Sequence, residues 1–255
     1  MIETTKVNLA ALNSATKYPS IPTFHELGEK GHLTDTIAFE PSADLVVSEK
    51  IDGTNTRLIF MPDGYFLVGS REHLLYARGD LIGNPALGIV ESVTPLAERL
   101  NTLVGRRDDT VKVVFLETYG GKTTAGAKNY TGERAFGHRL FDVVDLAVDD
   151  LDKDIEALAA WREAGGQAFY SETRLADFGD AVSIPLTARL EAPVVPTAVD
   201  QTLEWLQDVL PATKAALDAG AAGSPEGVVV RTADRALIAK IRFADYRRTL
   251  KGRSA

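Results

Sequence analysis

Two strand-like runs, Thr56 to Met61 and Tyr65 to Gly69, are parted only by Pro62-Asp63-Gly64. A connection that short cannot carry a crossover, so the pair reads as an antiparallel hairpin. Val46 to Glu49 reads as a strand running into Lys50. Thr110 to Glu117 and Arg139 to Val144 read as further strands, and Gly227 to Arg231 can pair with Leu237 to Phe243. Helical spacing marks residues 86–104 through Val90, Val93, Leu96 and Leu100, with Pro95 predicting a break. Asp150 to Ala164 reads as an amphipathic helix carrying Ile155, Leu158 and Trp161. Gln201 to Ala219 reads as helix in two pieces, because Pro211 suits the first turn of a new helix. Residues 1–44, with prolines at 19, 22 and 41, read as irregular, and a short basic helix closes the chain. Strands and helices without regular alternation predict an α+β fold.

Composition narrows the function classes. Cysteine is absent, which excludes disulfides and thiolate metal sites. His25, His32, His73 and His138 lack metal-ligand spacing, which argues against a zinc enzyme. No run is long enough to cross a bilayer and the N-terminus has no apolar signal core, so the expected location is cytoplasmic, in a bacterial or phage-encoded protein, with no membrane partner. Net charge is −8, unevenly spread: from Arg231 onward eight Lys/Arg face two Asp, leaving −14 over the rest. An acidic body with a basic end suits a local phosphate-binding patch as well as it suits a solvated helix end.

The chemistry-bearing residues start at Glu49-Lys50-Ile51-Asp52-Gly53-Thr54-Asn55. A lysine at a strand end, followed by Asp-Gly, sets an amine on a rim where the backbone can bend around a ligand. Such a match arises by chance in roughly one chain in twenty of this size, so alone it decides nothing. Further segments follow in order: Ser70-Arg71, then Phe115-Leu116-Glu117-Thr118-Tyr119-Gly120, then Phe141-Asp142-Val143, then Glu226-Gly227-Val228-Val229 and Lys240-Ile241-Arg242. Singly, each has an ordinary explanation: a solvated arginine, a strand-capping glutamate, a core phenylalanine. The ordered set does not.

That set resembles the covalent nucleotidyltransferase superfamily of RNA ligases, DNA ligases and capping enzymes, over about residues 46–243. Its Lys-x-Asp-Gly-x-Asn form is most similar to the RNA ligase 2-like branch, and Tyr18-Pro19-Ser20-Ile21 resembles the lead-in of such ligases. The resemblance implies a nucleotidyltransferase (adenylation) domain of antiparallel sheets flanked by helices, filling residues 1–255. It implies an ATP-dependent RNA ligase that joins 5′-phosphate and 3′-hydroxyl RNA ends through lysyl-AMP and adenylylated RNA, with ATP and magnesium (Mg2+).

Carried over by position, Lys50 attacks the α-phosphorus of ATP. An amine does so only uncharged, a state that cations at Lys240 and Arg242 and a bound metal favour. Arg71 and Glu117 match positions that hold the ribose hydroxyls. Phe141 matches the aromatic that stacks on adenine, Val229 covers its other face, and Glu49 meets the adenine edge with backbone and carboxylate. Asp52 and Glu226 match acids that orient hydrated magnesium. Lys240 neutralises the α-phosphate, and Asn55 holds phosphate in later steps.

Two features depart from the family's pattern. Arg242 stands where a second lysine is usual, so phosphate clamping survives and proton transfer does not. Thirteen residues follow Arg242, too few for a C-terminal OB barrel or helical domain. Joining is therefore expected to draw on the basic end, on a protein partner or on self-association. Gly120-Gly121-Lys122-Thr123 mimics a phosphate-binding loop, but Leu116 stands where that loop needs glycine, and the segment reads as a glycine-rich turn near the nucleotide or RNA path. The alternatives are a minimal DNA nick ligase, which the absent barrel disfavours, and a nucleotide- or nucleic-acid-binding subunit that adenylylates only with a partner.

Overall fold

The computed structural model describes residues 3–77, 79–83 and 86–253. In chain order it holds helix α1 (Leu9–Ala15), then strands β1 (His25–Leu27), β2 (Leu33–Ile37), β3 (Val46–Lys50), β4 (Thr54–Phe60), β5 (Phe66–Gly69), β6 (Leu74–Ala77) and β7 (Asp80–Leu81). Helix α2 (Ile89–Leu103) leads into the long strands β8 (Thr110–Gly120) and β9 (Phe136–Ala147). Helices α3 (Ile155–Glu163), α4 (Glu172–Val182) and α5 (Val199–Val209) follow. The chain closes with β10 (Gly227–Arg231), β11 (Ile238–Arg242) and α6 (Phe243–Arg253).

The strands form a six-stranded sheet ordered β7-β6-β5-β4-β8-β9, a three-stranded sheet ordered β11-β10-β3 and the small pair β1-β2, all antiparallel. The β4–β5 hairpin turns at Pro62-Asp63-Gly64 as expected. Both faces of the large sheet are covered. On one, Leu58, Phe60, Val114, Leu116 and Val143 pack with Val90, Val93, Ala97 and Leu100 of α2 and Leu175 and Val182 of α4. On the other, Ile59, Val113, Phe115 and Val144 pack with Ala11, Leu12 and Ala15 of α1 and Leu158 of α3. The three-stranded sheet lays Val47, Val228, Val230, Ala239 and Ile241 against Trp205 and Leu206 of α5 and Phe243 and Tyr246 of α6.

Several expectations change. Pro95 does not break α2: it sits inside the helix, on the solvent side, where the unpaired carbonyl of Glu91 meets water while the opposite face stays packed. No helix follows Pro211. Residues 211–226 form an irregular strap whose backbone bonds outward, Leu217 N–H to the Tyr130 carbonyl (2.7 Å) and Ala222 N–H to the Lys128 carbonyl (2.9 Å). Residues 1–44 are not wholly irregular, since α1 and the β1–β2 pair lie there; α1 has only seven residues, held by Asn8, whose side chain accepts from the Ala10 and Ala11 N–H groups. Ile155 of α3, expected on the buried face, is half exposed. Helix α4 lies in a stretch for which no element was expected.

Arg57 joins α1 to the large sheet. It is fully buried, and its guanidinium donates to the carbonyls of Ser70 and Asn13, to Thr16 Oγ1 and to Asn13 Oδ1, at 2.8–3.0 Å. Gly69 makes room, since a Cβ there would lie 3.0 Å from Arg57 Nε. Burial pulls the Arg57 pKa down to about 10. Arg57→Met leaves these acceptors buried without donors, so a urea melt is expected to show a loss of about 3 kcal/mol. A loss below about 1 kcal/mol would show that water replaces the guanidinium.

Candidate active site

The chain passes from the small sheet to the large one through Ile51-Asp52-Gly53, and a cavity of about 300 Å3 opens between the sheets at that crossing. Strand register explains what faces it. In the small sheet Ser48, Val229 and Lys240 stand in one row across three strands, and all three line the cavity. The next row on that face is Lys50, Gly227 and Arg242. In the large sheet Asn55, Glu117 and Arg139 form a row across β4, β8 and β9. Phe141 stands at a break in the β8–β9 register, where Phe115 pairs with Asp142 and Leu116 with Leu140.

Of the residues singled out by sequence, Glu49, Lys50, Asn55, Arg71, Glu117, Phe141, Val229 and Lys240 line the cavity. Glu226 adjoins it through an ion pair to Lys50 Nζ at 2.6 Å. Asp52 is in the crossing itself: its N–H donates to Tyr130 Oη, and its carboxylate lies against Gly126. Arg242 is absent from the lining and holds Asp245 with two nitrogens, at 2.7 and 3.1 Å. The Glu49 carboxylate is taken up by Thr213 Oγ1 and Lys214 N–H, so the backbone is what this residue leaves for a ligand edge. Asn55 Oδ1 is buried without a hydrogen-bond partner among the described residues, an acceptor waiting for a donor.

Arg189 and Arg231 carried no signal that sequence reasoning used, whereas Tyr18, Pro19 and Ile21 belong to the lead-in segment that it noted. Arg189 and Arg231 line the cavity and share Glu172, which Arg189 grips at 2.7 and 3.1 Å. Tyr18, Pro19 and Ile21 form part of the wall, and the Tyr18 ring meets Phe141 edge-on at 5.1 Å. Tyr18 Oη donates to Asp142, beside which Arg235 Nε also binds at 2.8 Å. These contacts come from segments distant in sequence that have no common motif.

A family model described as RNA ligase matches residues 43–251. The chain belongs to the RNA ligase family. Among solved structures, it resembles an unliganded variant of the RNA ligase of Naegleria gruberi at 12% identity, with a TM-score of 0.51, over 83% of this chain and 52% of that one. A variant of the same ligase with ATP and manganese matches at 13% identity and a TM-score of 0.50, over 93% of this chain and 62% of that one. At such identities the likeness shows the shared nucleotidyltransferase-type fold. The chain spans between half and two thirds of the length of those ligases. No curated protein gives a significant match.

In this RNA ligase family member the cavity is electrostatically divided. Burial, then Arg242, Lys50 and Arg71, push the Lys240 pKa down. Burial raises Glu226, opposed by the charge of Lys50. Glu117 accepts from Gly53 N–H at 3.0 Å, and burial, against the pull of Lys50, lifts its pKa to about 8. Among the described residues no three acids or histidines converge as a ready metal cage. The charges of Glu226 and Asp52 nonetheless lie near enough to raise the proton affinity of Glu117, and that of Asp52 raises Glu226.

The Glu117 shift has a definite pH consequence. Between the ordinary carboxylate range and about pH 8 the unfolded chain has lost a proton that the folded chain keeps. Stability from this group is therefore present at low pH and declines as pH rises through that window. Glu117→Gln removes the decline: the Tm of the variant relative to the parent should climb between about pH 5 and about pH 8. A constant difference would show that Glu117 is ionised throughout.

Proposed function

We propose that this chain is an ATP-dependent RNA ligase that joins a 5′-phosphate to a 3′-hydroxyl through lysyl-AMP and an adenylylated RNA end. One observation carries the reading: the Lys50 amine stands at the mouth of a cavity that also holds Lys240, Arg71, Glu117 and Phe141, with Glu226 at 2.6 Å from its nitrogen. In the first step Lys50 Nζ bonds to the α-phosphorus, and the bond from that phosphorus to the bridging oxygen breaks, releasing pyrophosphate. Glu226, its proton affinity raised by burial, accepts the lysine proton. Lys240 takes up the charge that grows on the phosphate oxygens. Phe141 supplies an aromatic face for adenine, with Val229 across the cavity, and Glu117 and Arg71 hold the ribose hydroxyls. The 5′-phosphate then displaces lysine from AMP, and the 3′-hydroxyl displaces AMP from the RNA end, with the Asn55 side-chain amide donating to the phosphate.

The acids around the crossing fit a hydrated divalent cation better than a directly ligated one, because Asp52 and Glu226 come from different segments without a third convergent ligand among the described residues. Magnesium, when bound, neutralises phosphate oxygens and steadies the leaving pyrophosphate. The matched Naegleria structure with ATP and manganese supports nucleotide and divalent-metal use. A cytoplasmic place in RNA end repair suits this chemistry.

Incubation with ATP and magnesium should add one AMP to the intact mass of the protein, and Lys50→Ala should abolish the addition. An adduct that persists in Lys50→Ala would remove this reading. Glu226→Gln keeps the size and deletes the charge that meets Lys50. Adduct formation should fall at least about tenfold, with partial recovery at high magnesium or manganese, measured as the single-turnover rate. An unchanged rate would take Glu226 out of the first step.

A further inference from the structure

The basic C-terminal helix is a poor phosphate binder in this fold. Arg242 and Arg248 both hold Asp245, Arg248 also donates to the Gly31 carbonyl, and Arg253 pairs with Asp35 at 2.9 Å. Arg247 lies over the Phe243 ring. The charges that sequence alone concentrates at the end of the chain are largely neutralised there.

Besides Arg247 and Lys251, cations without an ion pair among the described residues lie on residues 121–136, the segment that borders Asp52. Thr124 Oγ1 donates to the Asp52 carbonyl at 3.2 Å, and Gly126 abuts the Asp52 carboxylate, so this loop borders the site directly. Lys122, Lys128 and Arg134 are exposed on it and make no ion pair among the described residues. The loop is braced from behind. Tyr130 is buried with Ile51, Tyr119 and Ala215, and the strap bonds to the carbonyls of Lys128, Asn129 and Tyr130. The strap adds exposed Lys214, whose N–H is fixed by Glu49. Arg139 continues the row inward beside Glu117, donating to Tyr119 Oη at 3.3 Å, and its charge also acts on Glu49. Opposing charge is present at one edge: Asp218, kept ionised by hydrogen bonds from Thr131 and from the Gly132 and Gly220 N–H groups, stands there with Glu133, and the Asp52 carboxylate lies against Gly126. At the base of the loop, where it pairs with Gly120, Phe136 is 39% exposed, its ring laid over Gly121 and Gly88.

Spaced cations on a braced loop, with an open aromatic ring, match the needs of a single nucleic-acid strand: cations for successive phosphates and a face for a base. We propose that the RNA strand leading to the reacting end crosses residues 121–136, with Lys122, Lys128, Arg134 and Lys214 on its phosphates and Phe136 beneath a base. The inference rests on the ligase reading only for the identity of the strand. It makes the Gly120–Thr123 turn part of the substrate path, and it separates RNA binding from lysine adenylylation in space.

The test is fluorescence anisotropy with a labelled 5′-phosphorylated RNA across a salt series, which needs no adduct. Lys122→Ala/Arg134→Ala should weaken binding about tenfold and flatten the slope of log affinity against log salt by about 0.7 for each phosphate left without its cation. Phe136→Ala should weaken binding with the slope unchanged. Arg247→Ala/Lys251→Ala should bind as the parent does. AMP addition to Lys50, followed in parallel, reports on the ligase reading separately: its failure would leave the binding result standing. Parent-like binding by Lys122→Ala/Arg134→Ala, or loss of binding in Arg247→Ala/Lys251→Ala instead, would overturn the proposed path, as would a parent protein that binds no RNA.

Discussion

The cavity depends on how closely the chain approaches the large sheet at Gly53. A Cβ on that residue would sit 2.5 Å from the Thr118 carbonyl oxygen and 2.9 Å from Tyr119 Cβ, distances no side chain tolerates. The approach lets Gly53 N–H reach Glu117 while the preceding Asp52 N–H reaches Tyr130. Two successive amides are thereby fixed to β8 and to the loop that follows it, and Lys50, three residues before Gly53, is fixed to the small sheet by its pairing with Gly227. The separation between the nucleophile on one sheet and Phe141 and Glu117 on the other follows from this short, pinned crossing. Residues 185–190 reinforce it from the opposite side, pairing with Leu140 of β9 and with Val47 and Glu49 of β3.

Much of this was legible in the residues because the chemistry sits at strand ends. Alternation in β3, β10 and β11 puts Ser48, Val229 and Lys240 on one face, and short motifs mark where each strand meets the cavity. What was not legible depends on partners remote in sequence. Arg189 and Arg231 acquire their place from Glu172, and Tyr18 from Asp142 and Arg235, which no local period reveals. Pro95 misleads because the helix rule prices a missing hydrogen bond without knowing which face meets solvent. Pro211 misleads for the opposite reason: a plausible first turn is outcompeted by tertiary acceptors in the loop at Lys128–Tyr130.

Charge is likewise decided by contact and not by count. The segment after Arg231 is the most basic part of an acidic chain, yet Asp245 alone engages two of its arginines while itself almost fully buried. Glu49 shows the same displacement of function: a carboxylate beside the nucleophile in sequence becomes the anchor of Thr213 and Lys214, and so ties the strap that ends at Glu226 to the strand that ends at Lys50. The ion pair between Lys50 and Glu226 closes a loop already held at its far end.

Gly227 stands between Lys50 and Arg242 in the outermost row of the small sheet, and a Cβ there would come within 2.1 Å of the Ile241 carbonyl oxygen. The room it keeps is taken up by the backbone of β11, so β10 lies closer to that strand than any side chain at 227 would permit. For anyone reshaping this protein, that makes residue 227 a hinge-pin in the design sense: the lining on either side can be redrawn to admit another base or sugar, while the glycine between the two strands must be inherited unchanged.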